Sequence, residues 1–363
     1  MASYRYIFVD LLTDQVSIEL PLYGTSFTRR MCKAGEFNGT MAFNTAGFSN
    51  SDIINGTMPG RHGVYVERNN QLVWGGPIWT RTWQEQSKTF QFYGQSYESV
   101  FDGWFIESTI KYVSKDQRDI VRDLVERSQA GLGRNLNIAV GPGFGNIGTL
   151  RSPNFYDYEV WSYAKALDYM ANYEDGLDWY IDVAYDDNID FSKTLLVDNR
   201  LGAPIDRAVL AFDYPGSIKN FYYPENASKG ATGIIGIGAG EGTKMVRTKQ
   251  TNPDTYAQGY IEHLQTYSNT DVSVLATLQS KARLELAKHS TPVIVPTWEI
   301  YSDKDPAFGS YQLGDYAKFK IASDRFPDGL STTSRIIGWD VKPNEGSDSE
   351  DVKLLTALEE TDA

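Results

Sequence analysis

Gly143-Phe144-Gly145-Asn146-Ile147-Gly148 has the spacing of a dinucleotide-binding turn, in which glycines bring the backbone against a pyrophosphate at a helix N-terminus. The turn works only between a strand and a helix. Asn137 to Val140 supplies a strand, but Ser152-Pro153-Asn154 interrupts before any helix begins, and no second parallel strand closes the unit on schedule. A loop is expected. Gly236 to Lys244 is glycine-rich like a phosphate loop, but Thr243 precedes Lys244, which reverses the required Gly-Lys-Ser/Thr order. Thr251-Asn252-Pro253 behind it does not start a helix at the glycines, so a glycine turn or bulge on a strand is expected. Asp186, Asn188 and Asp190 have the alternate spacing of a calcium loop. Phe191 stands where the sharp turn needs glycine, and Val197 where the bidentate acid belongs, which leaves a solvated acidic hairpin tip.

The remaining chemistry is sparse. His62, His263 and His289 are the only histidines, lie far apart and have no metalloprotease spacing. Gly94-Gln95-Ser96-Tyr97-Glu98 misses the nucleophile-elbow pattern at its last glycine. Carboxylates are too abundant for counting to exclude a glycosidase pair. Trp and Tyr can hold sugar when exposed, but in alternating strands they belong to a core. No catalytic, cofactor-binding or metal-ligating residue is assigned. No cofactor is expected, and the chain is expected not to be an enzyme.

The elements around these stretches are mostly strands. Tyr4 to Val9 and Gln15 to Leu20 flank a Thr13-Asp14 turn, and Asn38-Gly39 and Asn55-Gly56 are further turn signals. Val64 and Val66, then Asn69-Asn70, then Leu72 to Trp74 form a hairpin pattern; Ile78 to Trp83 and Thr89 to Tyr93 alternate as two more strands. Ser114 with Gln117 suggests a capping box for a helix that buries Ile120, Val121, Leu124 and Val125 and turns Arg118, Asp119, Arg122, Asp123 and Glu126 outward. A second helix is expected from Glu159 to Tyr173, before Gly176, and strands from Trp179 to Tyr185 and Thr194 to Val197, giving an α/β insertion with its own small core. Strands follow at Val209 to Phe212, Ile218 to Tyr223 and Thr232 to Ile237. A helix capped by Asp271 runs to about His289, and strands cover Val293 to Tyr301, Ala317 to Ile321 (entered by a Gly314-Asp315 turn) and Ser334 to Val341. Beyond Glu345 the chain is acidic and turn-prone, and Leu354, Leu355 and Leu358 have the spacing of a short amphipathic helix, either a loosely held tail or a docking segment for a neighbouring subunit.

Composition sets the limits. The 363 residues are 41% hydrophobic and 13% aromatic, which excludes general disorder and allows two to four domains. A net charge of −13 argues against a nucleic-acid reader and against an anionic membrane surface. One cysteine, Cys32, permits no intrachain disulfide and fits a reducing compartment. No signal peptide and no membrane-spanning run are visible, so the sequons at Asn38, Asn55 and Asn226 carry no meaning. The expected fold is mainly β with α/β insertions. Its expected segments are a first β-barrel domain over 1–108, an α/β insertion over 109–200, a second β-barrel domain from 201–248 and 292–345, a helical insertion over 249–291, and an acidic C-terminal segment over 346–363.

Three passages carry a resemblance: Gly60 to Arg68 followed by Val73-Trp74-Gly75-Gly76-Pro77-Ile78, a hairpin whose next strand leaves through a Trp-Gly-Gly turn; Tyr97 to Trp104 leading into Asp116 to Val125; and Gly236 to Gly242 with the helix and the Gly314-Asp315 strand behind it. In that order, over nearly the whole chain, the sequence resembles the baseplate hub, or minor tail, proteins of siphophages that infect actinobacteria and related Gram-positive hosts. The resemblance implies two tail-tube-like β-barrel domains with a helix-containing insertion in each half. It implies a homotrimer whose six barrels ring a DNA channel at the tail tip of the virion, made in the host cytoplasm. Its implied partners are the distal tail protein ring, the tape measure protein, and tail fibre or tip proteins, with DNA passing without specific binding and no membrane insertion. On this reading part of the −13 charge faces the channel. Many hubs carry a lysin or peptidase domain; the chain ends at Ala363 with none, which argues against wall cutting. The rival readings are a distal tail ring protein and a receptor- or carbohydrate-binding tip protein.

Overall fold

The computed structural model describes residues 2–43, 45–173, 175–205, 210–228, 230–270, 272–289, 293–294, 296–344 and 349–357. Strand outweighs helix, 44% to 18%, as the alternating patterns require. Contacts divide the chain into a larger unit, Met1–Asn220 with Trp298–Ala363, and a smaller one, Phe221–Thr297.

The larger unit begins with β1 (Tyr4–Asp10) and β2 (Val16–Glu19), antiparallel across a turn where Asp14 takes a positive φ of 56°. β3 (Tyr23–Arg30) and β4 (Glu36–Ala42) follow, then the short helix α1 (Asn50–Gly56). The Asn38-Gly39 pair does not turn the chain: it lies inside β4, where a Cβ on Gly39 would meet Leu22 Cδ1 at 2.8 Å, so close packing is what requires glycine. Asn55-Gly56 closes α1 instead of a hairpin. β5 (His62–Arg68) and β6 (Gln71–Gln84) are joined by Asn69 and Asn70 at φ 51° and 65°, the two positive values a type I′ turn needs. β6 is one strand of 14 residues rather than two. Gly75-Gly76 is no exit turn: both glycines pair with β5, and β6 changes partner just beyond them, from β5 at Pro77 to β7 (Thr89–Gln95) at Ile78. A side chain on Gly76 would strike Gln95 O.

The next segment carries α2 (Gln117–Ser128), β8 (Ile138–Ala139), α3 (Tyr163–Ala171), β9 (Asp178–Tyr185) and β10 (Phe191–Asp198). Asp116, not Ser114, caps α2: its carboxylate accepts the Arg118 N–H at 2.9 Å, while Ser114 sits at φ 46°. α3 is shorter than its periodicity suggests. Val160 at φ 53° ends a 3₁₀ turn, Asp157–Glu159, and Ser162 then caps the helix. The segment has no core of its own. Ile7, Val9 and Tyr65 of the first strands share one cluster with Leu124, Leu167 and Ile181.

The chain then adds β11 (Leu210–Tyr214) and β12 (Ile218–Tyr222), and enters the smaller unit. There β13 (Gly233–Ile237) lies between β14 (Arg247–Thr251) and β15 (Leu264–Ser268), with a short helix α4 (Pro253–Ala257) between these two in sequence. The helix α5 (Leu275–Lys288) packs on this sheet, with Leu278 and Ala282 near Gly236. The strand expected over Thr232 to Ile237 in the second barrel thus belongs to the smaller unit, and the α5 cap expected at Asp271 lies outside the described residues.

β16 (Thr297–Tyr301), β17 (Tyr316–Ser323), β18 (Phe326–Pro343) and β19 (Glu350–Ala357) complete the large sheet. Its order is β12-β16-β19-β18-β3-β4-β7-β6-β5-β1-β2, and β17 branches from β18 to pair in parallel with β11. One 13-stranded sheet therefore joins the two ends of the chain through the β18–β3 ladder. The amphipathic helix or loose tail expected near Leu354 is instead β19. Val352, Leu354 and Thr356 are buried while Asp351 is exposed, and this period of two fits a slot between two strands.

Candidate functional site

The glycine turn at 143–148 is a loop, and its anion is the protein's own. The Asp119 carboxylate accepts the N–H groups of Phe144 and Gly145, both at 3.0 Å, where a phosphate would sit in a nucleotide-binding turn. Arg122 Nη1 holds the same carboxylate at 2.9 Å, and the Arg118 guanidinium lies 4.0 Å from the centre of the Phe144 ring. The first turn of the charged side of α2 is thus not a solvated face, whereas Glu126 is exposed as expected. Asp119 is buried, and Arg118 forks between Asp116 and Asp198. β8 does have a parallel partner, β10, but no helix starts at the glycines.

The other motifs are satisfied in the same way. Gly238 N donates to Val246 O at 2.7 Å and Val246 N to Ala239 O at 2.8 Å, so the run from Gly236 is a strand end leading into a turn. At the acidic tip Asp186 Oδ1 accepts the Asn188 and Asp190 N–H groups at 2.8 and 2.9 Å. His62 is buried, its Nδ1 takes the Met58 N–H at 3.1 Å, and desolvation lowers its pKa. Ser96 Oγ accepts the Gly35 N–H at 2.8 Å. Burial pushes the Cys32 thiol up to about 12, which keeps it protonated and unreactive. Trp74 and Trp298 are core residues, while the half-exposed Trp79 and Trp83 donate to Ser99 and Glu85.

The sheet does assemble a seam of ion pairs between strands distant in sequence. Arg335 on β18 forks onto Asp178 on β9, with Nη1–Oδ1 at 3.2 Å, and donates to Gly314 O and Leu201 O at 3.1 and 2.9 Å. Gly202 and Gly314, at φ 90° and 98°, meet backbone to backbone beside this pair and leave no room for a side chain. Arg29 on β3 binds Asp182 on β9 at 3.0 Å and Ile181 O at 2.7 Å. Arg68 on β5 pairs with Glu350 on β19, stacks on Phe308 and reaches its carbonyl at 3.1 Å. Tyr4 donates to the same Glu350; burial, then this carboxylate, raise the Tyr4 pKa. Lys193, almost fully buried on β10, is held at 2.6 Å by Asp14 of the first turn; desolvation lowers its pKa and Asp14 opposes the shift. Buried pairs of this kind are costly to break from one side and act through geometry more than net energy. Here they tie β9 and β10, which form a separate three-stranded sheet with β8, to β3, β18 and the first turn, and tie β5 to β19 within the large sheet. None of them was visible in the sequence, because each joins residues separated by over a hundred positions.

No protein-family model matches the chain, and no curated protein matches it. Solved structures do. A tail protein from Neisseria meningitidis matches with a TM-score of 0.60 at 11% identity, covering 97% of this chain and 96% of its own. The 43 kDa tail protein of prophage MuSo2 from Shewanella oneidensis matches with a TM-score of 0.62 at 8% identity, covering 98% of both chains. The chain has the fold of these tail proteins. An E. coli component of the type VI secretion system, described as structurally similar to the T4 tail proteins gp27 and gp5, follows with a TM-score of 0.50 at 7% identity, covering 98% of this chain and 74% of its own. At such identities the likeness is one of fold alone, and it covers the mainly β architecture from end to end.

Proposed function

We propose that the chain is a structural baseplate hub, or minor tail protein, of a siphophage-type tail. It forms a homotrimeric ring that joins the distal tail ring to tip or fibre proteins, and it surrounds the channel through which the tape measure protein and then DNA pass. The observation that carries this reading is the two-way coverage of tail-protein structures, in which nearly all of this chain aligns with nearly all of each of two tail proteins. The likeness of the E. coli neighbour to gp27 and gp5 supports a hub over other tail positions. The ion pairs between distant strands support a structural frame, and the self-satisfied glycine and acidic motifs support a non-enzymatic role. The −13 charge suits a wall along which DNA slides without sticking. Native mass spectrometry of the purified chain tests it. Three copies of the 40.7 kDa chain are expected. Six copies would favour the distal ring instead, and a monomer at micromolar concentration would overturn the trimer.

A further inference from the structure

A cleft of about 630 Å³ opens between the strand that starts at Ile110 and the second half of α2, lined by Lys111, Tyr112, Lys115, Asp123, Arg127 and Asn146. Three cations and one carboxylate line it, in a chain whose acids outnumber its Lys and Arg by 47 to 34. The carboxylate is already committed. Asp123 takes the Tyr112 hydroxyl at 2.6 Å and Arg127 Nε at 2.7 Å, with Lys115 Nζ at 3.9 Å. The cations are committed only in part. Among the described residues the terminal nitrogens of Arg127 make no hydrogen bond, and Lys111 has no carboxylate partner, only the Tyr156 ring 5.6 Å from its Nζ. The backbone adds donors. Ile110–Lys111 pairs antiparallel with Asn154–Phe155, and Tyr112 N donates to Pro153 O at 3.1 Å. Alternation along an antiparallel strand then turns the Lys111 and Val113 N–H groups to the opposite, open edge, which faces the cleft.

We propose that this cleft binds a phosphate group, a function separate from the tail role above. Three cations less one carboxylate leave about +2, which matches the roughly −1.5 to −2 of a phosphate monoester at neutral pH. The donors approach from the strand edge, from the Lys115 end and from α2, which suits a tetrahedral anion better than a planar carboxylate. Asn146, from the glycine turn whose Phe144 and Gly145 N–H groups go to Asp119, also lines the cleft.

Calorimetric titration of the full chain at low ionic strength, with inorganic phosphate and separately with glycerol 3-phosphate, tests the site. One saturable site per chain is expected, weakened about tenfold or more, or about 1.4 kcal/mol, in the Lys115→Gln/Arg127→Gln double variant. Because Arg127 also steadies Asp123, Lys111→Gln serves as a second variant with no helix contact at stake, and should weaken binding severalfold at unchanged Tm. Tighter binding of glycerol 3-phosphate assigns the ligand to a phosphate ester, and equal binding assigns it to free phosphate. No saturable binding overturns the proposal. So does an equal loss in Lys318→Gln, on an exposed part of β17 outside the cleft, because binding would then follow total charge and not this site.

Discussion

Burial decides the charge of Glu98. Its Oε1 accepts the Ile181 N–H at 2.8 Å, its Oε2 has no partner among the described residues, and desolvation raises its pKa above the ordinary 4.5. The Ser96 hydroxyl, then Arg29 and the Ile181 N–H, oppose that shift without reversing it, and Arg29 is itself engaged by Asp182 and Ile181 O. The folded chain therefore keeps a proton that the unfolded chain releases above pH 4.5. The stability this group contributes is complete below that pH and is lost as pH rises through the folded-state pKa, by up to about 1.4 kcal/mol per unit. Glu98→Gln keeps the acceptor and carries no charge. Thermal unfolding from pH 4 to 8 should show the variant level with the parent at the acid end and more stable at the neutral end. A constant difference across the range would mean that Glu98 is ionised when folded.

Among the elements, β19 makes the sharpest demand. Leu354 is fully buried between β16 and β18, whereas Lys353 beside it faces the other way. Leu354→Ala should cost about 2–5 kcal/mol and Lys353→Ala under about 0.5 kcal/mol, read from urea midpoints. Equal small effects would show that the strand is not inserted. β19 also shows where the sequence stops speaking. Leu354, Leu355 and Leu358 fit a helical stripe as well as Val352, Leu354 and Thr356 fit a strand, and what decides between them is the slot between β18, the strand just before it, and β16, whose Trp298 lies 58 positions before Thr356. Local chemistry was legible: Asn69-Asn70 demands its hairpin, and the apolar stripe of α2 demands its helix. Asn38-Gly39 misled because its glycine answers to packing against Leu22, a contact no turn rule contains. The glycine turn could be rejected from Pro153, but nothing nearby in sequence announced Asp119 as its anion.

For the molecule as a whole, the smaller unit leaves and rejoins the large sheet at neighbouring strands. β12 ends at Tyr222, β16 begins at Thr297, and the two are neighbours in the sheet, with Tyr301 N donating to Ser217 O at 2.9 Å and Asn220 Nδ2 to Glu299 Oε2 at 3.2 Å. A short Asn-Gly turn in place of residues 224–296 should leave the larger unit folded, with Tm lowered by about 4 °C or less in a calorimetric scan. Loss of the cooperative transition would show that the two units fold as one. The β3–β18 ladder, which joins Phe27 to Val341 and Arg30 to Gly338, has a further consequence for synthesis. β3 leaves the ribosome roughly 300 residues ahead of its partner, a wait of about 15–60 s at ordinary translation rates. Through that interval one edge of β3 stays open to any passing strand. β16 and β18 wait in turn for β19. Until that strand emerges the sheet stays open, and the nascent chain depends for its safety on time and on whatever shields that edge.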